Sequence, residues 1–221
     1  HLLLETEQSR RMLLSVVEEQ RRTEEALQKS TEEIRVAYDF TLQGWSNALE
    51  MRERETAGHS HRVVHLTLEI ARCFEIPEGE LIHYQRGALL HDIGKPPTKK
   101  FEPGHGWTFH GHEVIGGRMT PKIFAAFKLP LNEKMRFVRK MVELHLRPIS
   151  LTKENITDSA VRRLLSDAGE DIESLMMLCR ADITSKKKLK VRRSLENFDY
   201  VSQGLKEVEE KEKIRNGQPP I

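Results

Sequence analysis

This chain has little of what marks a membrane protein, a disulfide-built domain or a β-sandwich. No stretch approaches the roughly 18 consecutive apolar residues needed to cross a bilayer, and no signal peptide is recognisable, so the expectation is a cytoplasmic protein without a membrane span. Only two cysteines occur in 221 residues, Cys73 and Cys179. Both lie in apolar, helix-like surroundings, which reads as small core residues and not as a disulfide framework, and suits a reducing compartment. Aromatics are scarce at 6% while charged residues reach 32%, a balance that fits a helical soluble protein. Charge of one sign is also missing: 36 Lys and Arg against 34 Asp and Glu leave a formal +2, so overall charge gives no argument for nucleic acid. The chain begins at His1 and not at Met, as expected of a piece of a longer protein.

Residues 2–55 lack proline and hold a single glycine, Gly44. Apolar or small residues recur there in one heptad register at Leu13, Leu27, Ile34 and Ala48, with Val16 and Ala37 at the second seam position. Gln20, Thr23, Ser30 and Thr41 dilute that seam. The pattern predicts a long helix with a mediocre coiled-coil stripe, suited to a homodimer. Glu18-Glu19, Arg21-Arg22 and Glu24-Glu25 read as its solvated face. From Tyr38 onward, Phe40, Leu42, Trp45 and Leu49 make it apolar enough to join a core. The expected organisation is a signalling or dimerisation helix over 1–37, a domain over 38–213 and a tail over 214–221.

The remainder reads as successive helices over about 59–74, 77–90, 110–127, 131–146, 157–168, 171–184 and 187–213, with no stretch alternating as a strand. Gly94 is expected to cap the helix that ends near His91, with Pro96-Pro97 preventing its continuation and 96–109 forming a loop.

On this helical frame stand isolated histidines, an adjacent His-Asp pair and one late aspartate. They are His59, His91-Asp92, His112, His145 and Asp182. Imidazole and carboxylate are the ligands of first-row divalent metals. In a His-Asp doublet one residue can serve a single metal while the carboxylate reaches a second, which suits two-metal hydrolysis of phosphate esters. Spacing alone leaves choices open: His61 competes with His59, and His110 with His112. Glu55 shares a face with His59 only if the helix continues through Gly58. Lys95, three residues after Asp92, can offset charge developing on phosphoryl oxygens. Asp182 lies near a helix end, where the dipole favours cations and a carboxylate gains from a metal. His1, His83 and His105 read as ordinary surface or core residues.

With these residues the chain resembles the HD-domain metal-dependent phosphohydrolase superfamily over about residues 38–213. The resemblance implies an all-α helical bundle in which Asp92 bridges two metals. His59, His91 and Asp182 would complete one site, and His112 and His145 the other. It selects His59 over His61 and His112 over His110. Residues 24–95 are similar to HD-GYP signalling proteins, through Glu24-Glu25-Ala26-Leu27, Leu49-Glu50-Met51-Arg52, Glu55-Thr56-Ala57-Gly58-His59-Ser60 and Arg86-Gly87-Ala88-Leu89-Leu90-His91-Asp92-Ile93-Gly94-Lys95. Residues 96–221 look like the HD domain of bacterial CCA-adding tRNA nucleotidyltransferases. The matching segments are Trp107-Thr108-Phe109-His110-Gly111-His112-Glu113, Glu143-Leu144-His145-Leu146-Arg147-Pro148, Ser159-Ala160-Val161-Arg162-Arg163 and Ala181-Asp182-Ile183-Thr184-Ser185. The chain thus reads as a mosaic or chimera with its seam at the doublet. Leu146 stands where HD-GYP proteins carry a second histidine, which with Glu55 would hold a third metal. The Gly-Tyr-Pro motif is absent, and so are the nucleotide-binding and catalytic elements of a nucleotidyltransferase head.

The expected function is a metal-dependent phosphodiesterase or phosphatase acting on a small nucleotide, cyclic nucleotide or RNA end. Its cofactors would be two divalent ions of Mn, Fe, Ni, Co or Zn. Asp92 and Lys95 are the expected catalytic residues. Arg147, Arg162 and Arg163 join Lys95 as candidates for holding substrate phosphate. The run Lys186-Lys187-Lys188-Leu189-Lys190-Val191-Arg192-Arg193 reads most simply as a solvated helix start, and more sharply as a phosphate-contacting patch near Asp182. The rival reading is a non-catalytic, nucleotide-responsive signalling module that retains the metal-binding fold. A third keeps the fold but uses a di-iron pair for oxygen chemistry.

Overall fold

The computed structural model of the chain describes residues 2–53, 58–151, 157–183 and 188–217. Its described residues form an all-α fold with one short hairpin. In chain order the elements are α1 (Leu2–Glu53), α2 (His59–Cys73), α3 (Glu78–Leu90), α4 (Lys95–Thr98), β1 (Lys100–Glu102), β2 (Gly106–Thr108), α5 (His112–Ala126), α6 (Glu133–Leu144), α7 (Arg147–Leu151), α8 (Asp158–Ala168), α9 (Ile172–Asp182) and α10 (Lys188–Gly217). No described helix is long and apolar enough to cross a membrane.

Two compact units divide the chain, residues 1–42 and 43–221. In the first, α1 carries Met12, Leu13, Val16, Val17, Leu27 and Ile34 in exposed positions. Ion pairs one turn apart line it, such as Arg21 with Glu18 at 2.7 Å and Arg11 with Glu7 at 3.0 Å. Such solvated pairs are screened by water and contribute little to stability. Of the residues expected to join a core from Tyr38 onward, Leu42 is buried but Phe40 is 81% exposed. Trp45 is partly exposed and meets the Phe127 ring at 5.0 Å between centroids. The side chain of Leu49 lies outside the described set.

The second unit is built on buried stripes of helical period. In α6, Val138, Met141 and Val142 are fully buried and His145 follows on the same face. In α2 the stripe is His59, Val63, Thr67 and Ala71. In α5 it runs His112, Gly116, Thr120 and Ile123 with Phe124, and in α9 Leu175 and Leu178 lead to Asp182. α5 packs on α6, α2 on α3 and α9, and α3 on α6. Asn132 accepts a hydrogen bond from the Lys134 amide at the start of α6, and Thr157 accepts one from Ala160 at the start of α8, each satisfying an amide the helix cannot.

Several sequence expectations are corrected. Residues 96–109 are not a plain loop: Pro96 and Pro97 occupy the first turn of α4, where proline's missing N–H costs nothing. β1 and β2 then pair antiparallel, with Phe101 opposite Trp107. Three-residue strands are too short to show an alternating pattern. Gly94 does not cap α3 in a left-handed conformation; its φ is −81° and it precedes α4. Its glycine identity answers a steric need instead, since a Cβ there would lie 2.0 Å from the His112 carbonyl oxygen. Cys73 is exposed at the end of α2, not part of the core, whereas Cys179 is buried. α10 extends to Gly217, into the expected tail.

Candidate metal centre

Five helix ends converge on one point. His59 opens α2 and His112 opens α5, each directly after a glycine with φ +77°, Gly58 and Gly111. That left-handed turn is cheap only for glycine, and it re-aims the chain so that the first helical residue points inward. His91 and His145 directly follow α3 and α6, and Asp182 is the last residue of α9. Each buried stripe ends in one of these side chains, so packing the stripes brings the six residues together.

They form two sets. His59, His91 and Asp182 bring one ligand atom each within 4.8 Å of the others, and so do Asp92, His112 and His145. Asp92 stands between them. Its Oδ2 lies 3.0 Å from His91 Nε2 and 4.0 Å from His59 Nε2. Its Oδ1 lies 3.2 Å from His112 Nε2 and 3.9 Å from His145 Nε2. Asp182 Oδ1 closes the first set, 3.2 Å from His59 Nε2 and 3.6 Å from His91 Nε2.

Backbone carbonyls orient three of the rings. His91 Nδ1 donates to Ala88 O at 2.7 Å, His112 Nδ1 to Phe109 O at 2.8 Å and His145 Nδ1 to Val142 O at 2.7 Å. The proton assigned to Nδ1 by each bond leaves the Nε2 lone pair facing the cluster, the arrangement that presents imidazole to a metal. The Cys179 thiol donates to His145 O at 2.9 Å and steadies that turn. Sequence reasoning did not find these partners; a recurring three-residue offset at helix ends is the signal for the carbonyls, whereas the Cys179 thiol, 34 residues from His145, has no such local signal.

The donor set fits divalent metal. His91 Nε2 is buried without a hydrogen-bond partner although two carboxylate oxygens lie near, which is unfavourable for a lone pair unless a cation intervenes. Four imidazoles with two carboxylates are borderline ligands suited to first-row ions. Without metal, a proton takes that role. Burial opposes the charge on His91, but Asp92 and Asp182 outweigh it and hold its pKa well above the ordinary value. Burial likewise opposes ionisation of Asp92 and Asp182. The imidazoles beside them, and Lys95 beside Asp92, hold both carboxyls well below the usual range. Burial and the neighbouring His91 charge push His145 down to about 4.

Lys95 Nζ donates to Asp92 Oδ2 at 2.7 Å. His61 is exposed on the other face of α2, and His110 is exposed near Glu102. The α2 stripe through Val63, Thr67 and Ala71 is a sequence-level reason to choose His59. Glu55 lies outside the described residues, and the left-handed Gly58 ends the helical continuity on which its pairing with His59 relied. The Arg147 guanidinium is paired with Asp167, and Arg162 and Arg163 are exposed on α8. Of the basic run, residues 186 and 187 lie outside the described set, and Arg192 pairs with Glu196 at 2.9 Å.

Residues 56–187, more than half of the chain, match the HD domain family. A curated relative, the A-adding tRNA nucleotidyltransferase of Deinococcus radiodurans, is 32% identical over 107 residues, 48% of this chain. The matched part spans 23% of that protein's length.

Proposed function

The chain belongs to the HD domain family, whose members are typically metal-dependent hydrolases, and we propose that it is a two-metal phosphohydrolase acting on a nucleotide, cyclic nucleotide or RNA end. One observation carries the reading. The two oxygens of Asp92 face different ligand sets, Oδ2 toward His59 and His91 and Oδ1 toward His112 and His145. That is the placement a bridging carboxylate needs.

Two divalent ions held there would supply a water nucleophile at neutral pH and neutralise charge on the phosphoryl group. His59, His91 and Asp182 would hold one and His112 and His145 the other. The protein's own groups set the geometry. The carbonyls of Ala88, Phe109 and Val142 fix the tautomers, and the Lys95 ammonium beside Asp92 Oδ2 offers a fixed positive charge to a phosphoryl oxygen. Arg147, Arg162 and Arg163 stay candidates for more distant substrate phosphates. In this reading residues 1–37 act as a dimerising signal helix, supported by the exposed Leu13, Val16, Leu27 and Ile34 seam.

Hydrolysis of 2′,3′-cyclic AMP and of cyclic di-GMP in one manganese buffer, with Asp92→Ala as blank, tests the assignment. Turnover of the 2′,3′-cyclic nucleotide in preference to cyclic di-GMP is expected, because Leu146 cannot supply a third-metal ligand. Metal-loaded protein that cleaves neither ester nor any nucleotide end overturns it.

A further inference from the structure

Cations and aromatic rings alternate along the segment that leaves the candidate metal centre. Lys95, bound to Asp92, has its Nζ 5.8 Å from the centre of the Phe109 ring. Lys99 Nζ lies 5.9 Å from that same ring and 5.2 Å from the Trp107 ring. Trp107 meets Phe101 across the hairpin at 5.3 Å between centroids. From the site outward the order is Asp92, Lys95, Phe109, Lys99, Trp107, Phe101, and Lys100 is exposed beside the last.

The cross-strand Phe101–Trp107 pair supports a hairpin whose three-residue strands are marginal by themselves. That role uses part of each ring and leaves Phe101 57% and Trp107 60% exposed. Ring faces in water beside ammonium groups suit a ligand that is flat and apolar in one part and anionic in the next. An exposed pair of rings, Trp107 and Phe101, beside ammonium groups at Lys99 and Lys95 matches a strand with several bases and phosphates better than a mononucleotide, which has a single base to stack.

We propose that the β1–β2 hairpin is a docking track for an unpaired oligonucleotide end. Bases stack on Trp107 and Phe101, backbone phosphate meets Lys99, and the terminal phosphoester is delivered to Asp92 and Lys95. Only that last step rests on the phosphohydrolase reading.

The test is fluorescence anisotropy of a labelled single-stranded oligoadenylate hexamer on the full chain, across a salt series. Manganese-dependent hydrolysis of bis-p-nitrophenyl phosphate by the wild-type protein is measured beside it. Trp107→Ala is expected to weaken hexamer binding about tenfold or more, as loss of one base stack does, while Trp107→Phe restores it to within about threefold. Lys99→Ala is expected to lower the slope of log affinity against log salt by about 0.7, one phosphate's worth of released counterions; a ring that merely held the hairpin together would not change that slope. Wild-type protein that hydrolyses the small ester but binds no hexamer, or Trp107→Ala that binds within twofold of wild type, overturns the track and leaves the hydrolase reading intact. Hexamer binding that depends on Trp107 and Lys99 in a protein that hydrolyses nothing sustains the track and overturns the hydrolase reading.

Discussion

Gly94 and His112 touch through their backbones: a Cβ on Gly94 would stand 2.0 Å from the His112 carbonyl oxygen and 2.7 Å from the Gly116 amide nitrogen. This approach brings the His91-Asp92 turn against the start of α5, and so sets Asp92 Oδ1 3.2 Å from His112 Nε2. Gly94→Ala is therefore expected to destabilise the protein by about 2 kcal/mol or more, since rigid backbone atoms must move. It also separates the two ligand sets. Gly79→Ala in the first turn of α3 has nothing within 4 Å of its new methyl and is expected to be neutral or stabilising by up to about 1 kcal/mol. Denaturant midpoints compare the two; equal midpoints would refute the packing argument.

Removing one set should differ from removing the bridge. His112→Ala takes a ligand from one set only and is expected to lower bound manganese from about two equivalents to about one. Asp92→Ala faces both sets and is expected to lose both, with turnover falling about a thousandfold or more. Metal content by elemental analysis reads the difference. Asp92→Ala with wild-type metal content would contradict the bridging role.

Acid should unfold the metal-free protein early, through His145. Its pKa falls from the ordinary 6.5 to about 4 in the fold, so between those values the unfolded chain binds the proton more readily. Stability then drops as pH falls through that window, on the order of 3 kcal/mol by pH 4. His91 acts in the opposite sense. Its raised pKa makes its contribution complete below pH 6.5 and lost as pH rises through the folded value. In chelator, the thermal midpoint is expected to decline from pH 6.5 toward 4.5, and His145→Gln should flatten that limb. A wild-type limb already flat would refute the assignment.

The two thiols should react very differently. Cys73 is exposed; Cys179 is buried, donates to His145 O, and burial pushes its thiol pKa well up. A disulfide reagent at pH 8 is expected to label Cys73 at once and Cys179 at least about 100-fold more slowly, at the rate of structural opening. Two fast thiols would contradict the buried turn, and Cys73→Ser should leave none.

The helical class was legible because apolar residues recur at helical spacing and Pro77 and Pro130 stand between helices, although Gly87, Gly116, Gly117 and Pro121 lie inside α3 and α5. The six residues that the fold brings together were also legible, as residue types in an order that resembles a known family. Spacing could not choose between His59 and His61, because both fall within the first turn of α2. The buried stripe chooses, and it is visible only when the whole helix is weighed. The β1–β2 hairpin escaped notice because its strands are shorter than the period that announces a strand. Cys73 was misplaced because an apolar neighbourhood in sequence says nothing about which face of α2 a residue occupies at its last turn.

By itself the sequence determined the local matters: where helices run, where Gly58 and Gly111 permit a left-handed turn, and which side chains can hold a divalent metal. These follow from residues within a few positions of one another. Tertiary structure alone decided that the two oxygens of Asp92 face different ligand sets, that Gly94 must be glycine to let α5 approach, and that Lys95, Lys99 and the hairpin rings form one continuous row. Those relations join residues far apart in the chain. Helix packing sets them, at separations that no local pattern encodes.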